Sequence, residues 1–110
     1  MRRVADHFTR MARQQGYHAR SVFKLQEADQ RFRILSRGMR VVDLGAAPGS
    51  WSLYAAKRVG PTGLVLSLDL SEPTQTFPSH VVFRQQDVFE WQPGVRGWTG
   101  GSAIRMQSYL

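Results

Sequence analysis

An α/β fold, with parallel strands covered by helices, is what this 110-residue sequence predicts, and three observations carry the prediction. First, Val41-Val42-Asp43-Leu44 and Leu64-Val65-Leu66-Ser67-Leu68-Asp69-Leu70 are short, nearly continuous apolar runs. Strands of a parallel sheet read this way because both of their faces are buried. Second, the first run passes through a turn of small residues, Gly45-Ala46-Ala47-Pro48-Gly49-Ser50, directly into a helical pattern over residues 51–59. Third, each of these runs carries an acid one residue from its end, and a shorter run, Val81-Val82-Phe83-Arg84, is followed by one; the acids are Asp43, Asp69 and Asp87. In an α/β sheet such positions lie near the carboxyl ends of the strands, where ligands bind.

Length and composition bound the reading. The chain suits one small domain with one core. Its hydrophobic content of 42% is that of a globular protein, and no apolar run approaches the roughly 20 residues that span a bilayer, so no membrane role is read. The absence of cysteine excludes disulfides and cysteine-ligated zinc, and fits a reducing, cytoplasmic compartment. His7, His18 and His80 are scattered without metal-ligand spacing, so no metal site is read.

Charge is distributed unevenly. Residues 1–40 hold ten basic and three acidic side chains, which accounts for the whole net charge of +7; residues 41–110 hold five of each. A localised basic segment with interleaved aromatics (Phe8, Tyr17, Phe23, Phe32) is the footprint of a polyanion binder. The competing readings are a solvated face and an arginine-rich transit peptide, and Asp6, Glu27 and Asp29 count against the second.

Taken in order, residues 1–16 are polar and basic, a short helix or a loose arm, with a turn at Gly16. Val22, Leu25, Ala28 and Phe32 recur at three- and four-residue steps and predict a helix over about 21–32, with Ser21 as N-cap. Phe23, Lys24 and Glu27 fall outside that stripe. Ser36-Arg37-Gly38 turns the chain into the first strand at about 40–44. After the helix over about 50–59, Gly60-Pro61-Thr62-Gly63 is a strong turn before the second strand. Residues 71–80, with Pro73 and Pro78, read as loop or a poor short helix, and residues 81–84 as the third strand. Residues 92–110 carry Gly94, Gly97, Gly100 and Gly101, with no acid and no clear period. The predicted organisation is a basic arm over 1–20, a cofactor-binding half-domain over 21–91 and a Gly-rich tail over 92–110.

The strand-turn-helix is a ligand site, and its residues narrow the ligand. A dinucleotide fingerprint wants Gly-x-Gly-x-x-Gly, whereas the three positions here are Gly45, Ala47 and Ser50. No Gly-Lys-Ser/Thr follows, which excludes a P-loop. Asp43 at the strand end would repel a pyrophosphate and favour a ligand carrying an ammonium and a sulfonium, such as S-adenosylmethionine. An ordinary βα turn with an incidental acid is the plainer alternative. Asp69 lies 24 residues beyond Gly45, close to where nucleotide-binding α/β folds place the carboxylate that holds ribose hydroxyls.

Two stretches, Ala19-Arg20-Ser21-Val22-Phe23-Lys24-Leu25 and Gly38-Met39-Arg40-Val41-Val42-Asp43-Leu44-Gly45-Ala46-Ala47-Pro48-Gly49-Ser50-Trp51-Ser52, resemble the FtsJ-like family of RNA ribose 2′-O-methyltransferases. The resemblance runs from about Asp6 to Asp87. It implies a Rossmann-like methyltransferase fold of which the first half, about three strands, is visible, S-adenosylmethionine as cofactor, and RNA as substrate, with ribosomal RNA or a ribosomal subunit the commonest. Carried over by position, Gly45, Ala46, Ala47, Pro48, Gly49, Ser50 and Trp51 form the cofactor loop with Asp43 at its start. Asp69 binds the cofactor ribose and Asp87 sits at the adenine edge. Lys24 falls on the first lysine of the family's Lys-Asp-Lys-Glu tetrad, and Ser50 departs from a second glycine common in the family. Arg20, Lys24, Arg31 and Arg33 are the candidate RNA contacts.

The chemistry of Lys24 is consistent with that role. A ribose hydroxyl is a weak nucleophile, and a cation beside it stabilises the developing alkoxide. From the residues alone, a lysine contacting phosphate is the plainer reading. No lysine follows Lys57 and no acid follows Glu90, so three tetrad positions have no match. The expectation is therefore an incomplete enzyme, with the first strand exposing an apolar edge prone to association. Two alternatives stand beside it: a catalytically incompetent RNA- or cofactor-binding module on the same half-fold, and a different Rossmann-type enzyme that uses a nucleotide.

Overall fold

The computed structural model describes residues 2–90 and the backbone of residues 103–107. Its first helix, α1, spans Arg2–Gln14. It ends at Gly16, whose φ of +88° is open to glycine at little cost. Gly16 N–H donates to Arg13 O at 3.0 Å and Tyr17 N–H to Ala12 O at 2.8 Å, satisfying two carbonyls that a helix end leaves unpaired. Ala12 and Tyr17 are buried in the core, so the basic arm is a docked helix.

Helix α2 spans Val22–Phe32 and buries Val22, Leu25 and Asp29. Two expectations fail here. Phe32, placed in the apolar stripe by its spacing, is 69% exposed. The helix stops there because Arg33 is left-handed (φ +51°), and Leu35, returning under the helix end, fills the core instead. Ser21 occupies the N-cap position but has helical backbone angles and makes no side-chain cap. What holds the start of α2 is the Trp51 indole, which donates to Ser21 O at 3.0 Å.

Strands β1 (Arg40–Leu44), β2 (Leu64–Asp69) and β3 (Val81–Gln85) are parallel, with helix α3 (Ser50–Val59) crossing from β1 to β2. A fourth strand, β4, spans Ala103–Gln107 and pairs in parallel with β1 on its other side, Val42 facing Arg105. The sheet order is β3-β2-β1-β4. The edge of β1 expected to lie open is thus paired, and part of the tail forms the neighbour it was expected to lack. Four glycines dominated the reading of residues 92–110, yet Ile104-Arg105-Met106-Gln107 alternates apolar and polar residues as a strand does. The remainder of that tail, 92–102 and 108–110, lies outside the described residues, as does residue 91.

Successive side chains of a strand point to opposite faces, and β1 and β2 are buried on both of theirs. Val41 and Val65 join Val22, Leu25, Leu35, Tyr54, Ala55 and Val59 in one cluster beneath the helices. Val42, Leu44, Leu66 and Leu68 form a second cluster on the opposite face. This two-sided burial is the physical reason the strands read as unbroken apolar runs.

Candidate cofactor and nucleic-acid site

β1 has β2 on one side and β4 on the other, so the chain leaves it in one direction and later returns on the opposite one. Such a switch point opens a crevice at the carboxyl end of the strand. The turn from Gly45 to Gly49 occupies that place. Gly45 N–H and Ala46 N–H both donate to Leu68 O, at 2.9 and 3.0 Å, folding the turn over the end of β2. Gly49 has φ +112°, and a Cβ on it would lie 2.6 Å from the Phe77 ring. Any other residue here would strain the backbone and displace the loop between β2 and β3.

Asp43 lies beneath this turn, fully buried, rather than on an open surface. Its Oδ2 accepts from the Ser52 hydroxyl at 2.6 Å, and Ser52 Oγ in turn bonds Ser67 Oγ. Its Oδ1 has no hydrogen-bond partner among the described residues. Burial pushes the Asp43 carboxyl up to about 7; the Ser52 hydroxyl pulls against that shift and the nearby Asp69 charge adds to it. A buried carboxylate with one uncompensated oxygen favours a cationic ligand above it and disfavours an anionic one.

Asp69, at the end of β2, receives Ala47 N–H on Oδ2 and Ser71 N–H on Oδ1, each at 2.8 Å. A carboxylate has about four acceptor positions, so a ribose diol could still be received. Asp87 follows β3, and its Oδ1 accepts from Phe89 N–H at 2.9 Å, closing the 3₁₀ turn Val88–Glu90. The three acids therefore sit along one end of the sheet, Asp43 fully buried and Asp69 and Asp87 half-buried. Ser50, buried at 1%, has its hydroxyl bonded to Gln75 Oε1 at 3.0 Å and to Ala19 N–H at 3.0 Å. Trp51 turns toward α2, as described above.

A groove of about 710 Å³ joins the turn to the basic segment. Ala47 and Pro48 form one wall; Arg20, Lys24 and Glu27 on or before α2 form another; Phe8 of α1 and Phe23 complete it. The Phe8 and Phe23 rings are 6.0 Å apart between centroids. The structure thus brings Lys24 and Arg20 to the turn that follows β1. It does not bring Arg31 or Arg33 there. Arg31 lies over the Phe32 ring, 5.4 Å from its centroid. Arg33 lines a separate groove of about 750 Å³ with Arg37 and Arg58. The basic segment is consequently two surfaces.

Several participants were not singled out from the sequence. Ser67 interrupts an apolar strand, which is a signal for a buried polar contact. Gln75 carries no signal, because it sits in a loop without period. Among the described residues, no group of His, Cys, Asp or Glu could hold a metal ion, and no helix is long and apolar enough to cross a membrane.

Comparison with known proteins bears on this arrangement. Ribosomal RNA large subunit methyltransferase E of Nitratidesulfovibrio vulgaris (strain DP4) is 56% identical over 90 residues, which cover 82% of this chain and 44% of that protein. The protein of the same name from Sorangium cellulosum is 56% identical over 82 residues, 74% of this chain and 39% of its own length. That from Lawsonia intracellularis is 48% identical over 89 residues, 81% of this chain and 44% of its own. The chain therefore spans less than half the length of these curated relatives. A match to the FtsJ-like methyltransferases runs over residues 17–96, from the segment ahead of α2 through the glycine turn and past all three acids. By that match, the chain belongs to the FtsJ-like methyltransferase family.

Proposed function

We propose that this chain carries the cofactor-binding half of an S-adenosylmethionine-dependent RNA ribose 2′-O-methyltransferase, with ribosomal RNA as substrate and the cytoplasm as its place of action. The observation that carries the reading is the shared groove: Lys24 and the Ala47-Pro48 turn line the same cavity. Asp69 would take the cofactor ribose, Asp87 would border the adenine, and residues 45–51 would form the loop around the methionine portion. Asp43, buried under the loop, would favour the positive charge of that portion through its field. When bound, S-adenosylmethionine supplies an electrophilic sulfonium methyl. The Lys24 ammonium would stabilise the ribose 2′ oxygen as charge develops on it. Arg20 would hold a neighbouring phosphate, and the groove would fix the hydroxyl in line for attack. The relatives named above are called ribosomal RNA methyltransferases, which supports the substrate class.

A second reading is favoured by one specific observation: of the family tetrad, Lys24 is the member with a counterpart in these 110 residues. On that reading the chain binds RNA and cofactor without turning over alone. Titration with S-adenosylmethionine and with NAD, followed by a radiolabelled methyl-transfer assay on undermethylated ribosomal RNA, tests both. Binding of S-adenosylmethionine but not NAD is expected. Turnover that disappears in Lys24→Ala would assign full activity to this chain, whereas NAD binding alone would refute the cofactor assignment.

A further inference from the structure

The loop between β2 and β3 contributes one buried side chain to the site, Gln75, which is 9% exposed. Its Oε1 accepts from the Ser50 hydroxyl at 3.0 Å and from His18 N–H at 2.7 Å. Its Nε2 donates to Gly16 O at 3.2 Å. Its own backbone N–H donates to Pro48 O at 3.1 Å, beside Thr74 N–H at 3.0 Å. One amide side chain therefore ties together three segments distant in sequence: the cofactor turn, the loop that covers it, and residues 16–19 ahead of α2. Ser50 closes the circuit by accepting from Ala19 N–H. His18 adds an outer strap, its Nδ1 lying 2.7 Å from Thr74 Oγ1.

The segment held in this way leads directly into Arg20 and Lys24. Without Gln75, the carbonyl of Gly16 and the amide of His18, both on exposed residues, turn to solvent, and the buried Ser50 hydroxyl loses its acceptor, which buried polar groups seldom do. The serine at position 50 also acquires a purpose here, since a glycine could not supply the hydroxyl that joins the turn to Gln75.

We propose that Gln75 is a positioning residue which, with Ser50, locks the Arg20–Lys24 segment in fixed register against the cofactor turn, so that RNA phosphate and hydroxyl are presented to the methyl donor's place. This rests on the RNA-binding reading above. Gln75 contacts neither ligand; it acts through Arg20 and Lys24.

A double-mutant cycle with the 110-residue chain and a fluorescent single-stranded RNA oligonucleotide tests it. Gln75→Met should weaken RNA binding by about five- to tenfold in the wild-type background and by less than about twofold when Arg20→Ala and Lys24→Ala are already present, because coupled residues are not additive. Ser50→Ala, which keeps the packing volume, should show the same pattern at smaller size. Equal weakening in both backgrounds would overturn the proposal by showing a general loss of stability. Hydrogen exchange provides the readout independent of RNA. In Gln75→Met the His18 and Ala19 amides should exchange at least about tenfold faster while the Val42 and Leu66 amides hold, as expected for local rather than global opening. Unchanged His18 exchange would overturn the clamp itself. Wild-type chain that binds no RNA, with His18 exchange accelerated as stated, would refute the RNA reading and leave the clamp standing.

Discussion

Asp29 and Asp43 are equally hidden from solvent, at 2% and 0% exposed, yet their surroundings treat them in opposite ways. Around Asp29 every demand is met: Leu35 N–H donates to Oδ1 at 2.8 Å, and the Tyr54 hydroxyl (2.8 Å) and Arg58 Nε (2.6 Å) donate to Oδ2. Burial alone would raise its carboxyl, but these hydrogen bonds outweigh burial and hold it below the usual range. Around Asp43 the described residues supply two serines, leave one oxygen unpartnered and place another acid nearby, and its carboxyl is pushed up to about 7. The first aspartate ties α2 to α3 and serves the fold. The second is held under the glycine turn at a cost to the fold, which is expected where a site is prepared for a ligand's charge.

The largest test of this contrast is Asp29→Ala. It removes the acceptor of three donors and leaves the Tyr54 hydroxyl and the Leu35 amide buried and unpaired. Urea denaturation should show a loss of about 3–5 kcal/mol. A loss below about 1 kcal/mol would mean that the network contributes little.

The pH dependence of stability sharpens the same contrast. Asp43 has a native value near 7 against 3.8 for the free side chain, so the folded state binds the extra proton between these values. Its contribution therefore declines as pH rises from about 4 to 7, by as much as ~4 kcal/mol, and is level above that. Asp29 works in the other direction: its stabilisation is present above 3.8 and is lost as pH falls through its lowered native value. Chemical denaturation of Asp43→Asn across this range should show a flatter profile than wild type. An unchanged slope would remove Asp43 as its source.

Smaller effects come from the periphery of each site. The Arg58 side chain is 45% exposed, so solvent screens its bond to Asp29. Arg58→Ala should cost about 1–2 kcal/mol, less than removing the acid itself. Ser21→Ala should change stability by less than about 0.5 kcal/mol, because its side chain caps nothing in α2. A cost near 1 kcal/mol, measured by thermal denaturation, would restore the N-cap that spacing suggests.

These two aspartates also show where sequence was informative. Asp43 was conspicuous because it interrupts an apolar run just before a glycine turn, a local pattern with a direct chemical meaning. Asp29 was not, because its partners Leu35, Tyr54 and Arg58 are brought to it only by packing of α2 on α3. The helix and strand positions of residues 22–69 followed from period and turn residues. Phe32 failed because helix termination at Arg33, a tertiary decision, overrode a period that continued through it. β4 was obscured because turn-forming glycines outweighed an alternation of only four residues, 104–107. Arg31 and Arg33 were grouped with Lys24 by linear charge, which says nothing of the surface that each residue on or after α2 occupies. Gln75 was invisible for the same reason as Asp29: its importance lies wholly in distant partners.

The central claim, that the turn after β1 together with Asp69 forms an S-adenosylmethionine site, is tested most directly by calorimetric titration of S-adenosylmethionine into wild type and Asp69→Ala. Asp69 accepts from Ala47 and Ser71 on separate oxygens and retains acceptor positions for a ribose diol. Wild type should bind, and the variant, with its fold confirmed by an unchanged far-ultraviolet spectrum, should bind more weakly by about 1.5–3 kcal/mol, the value of a hydrogen bond to a charged group. Equal affinity in the two proteins, or no binding by a folded wild type, would contradict the claim.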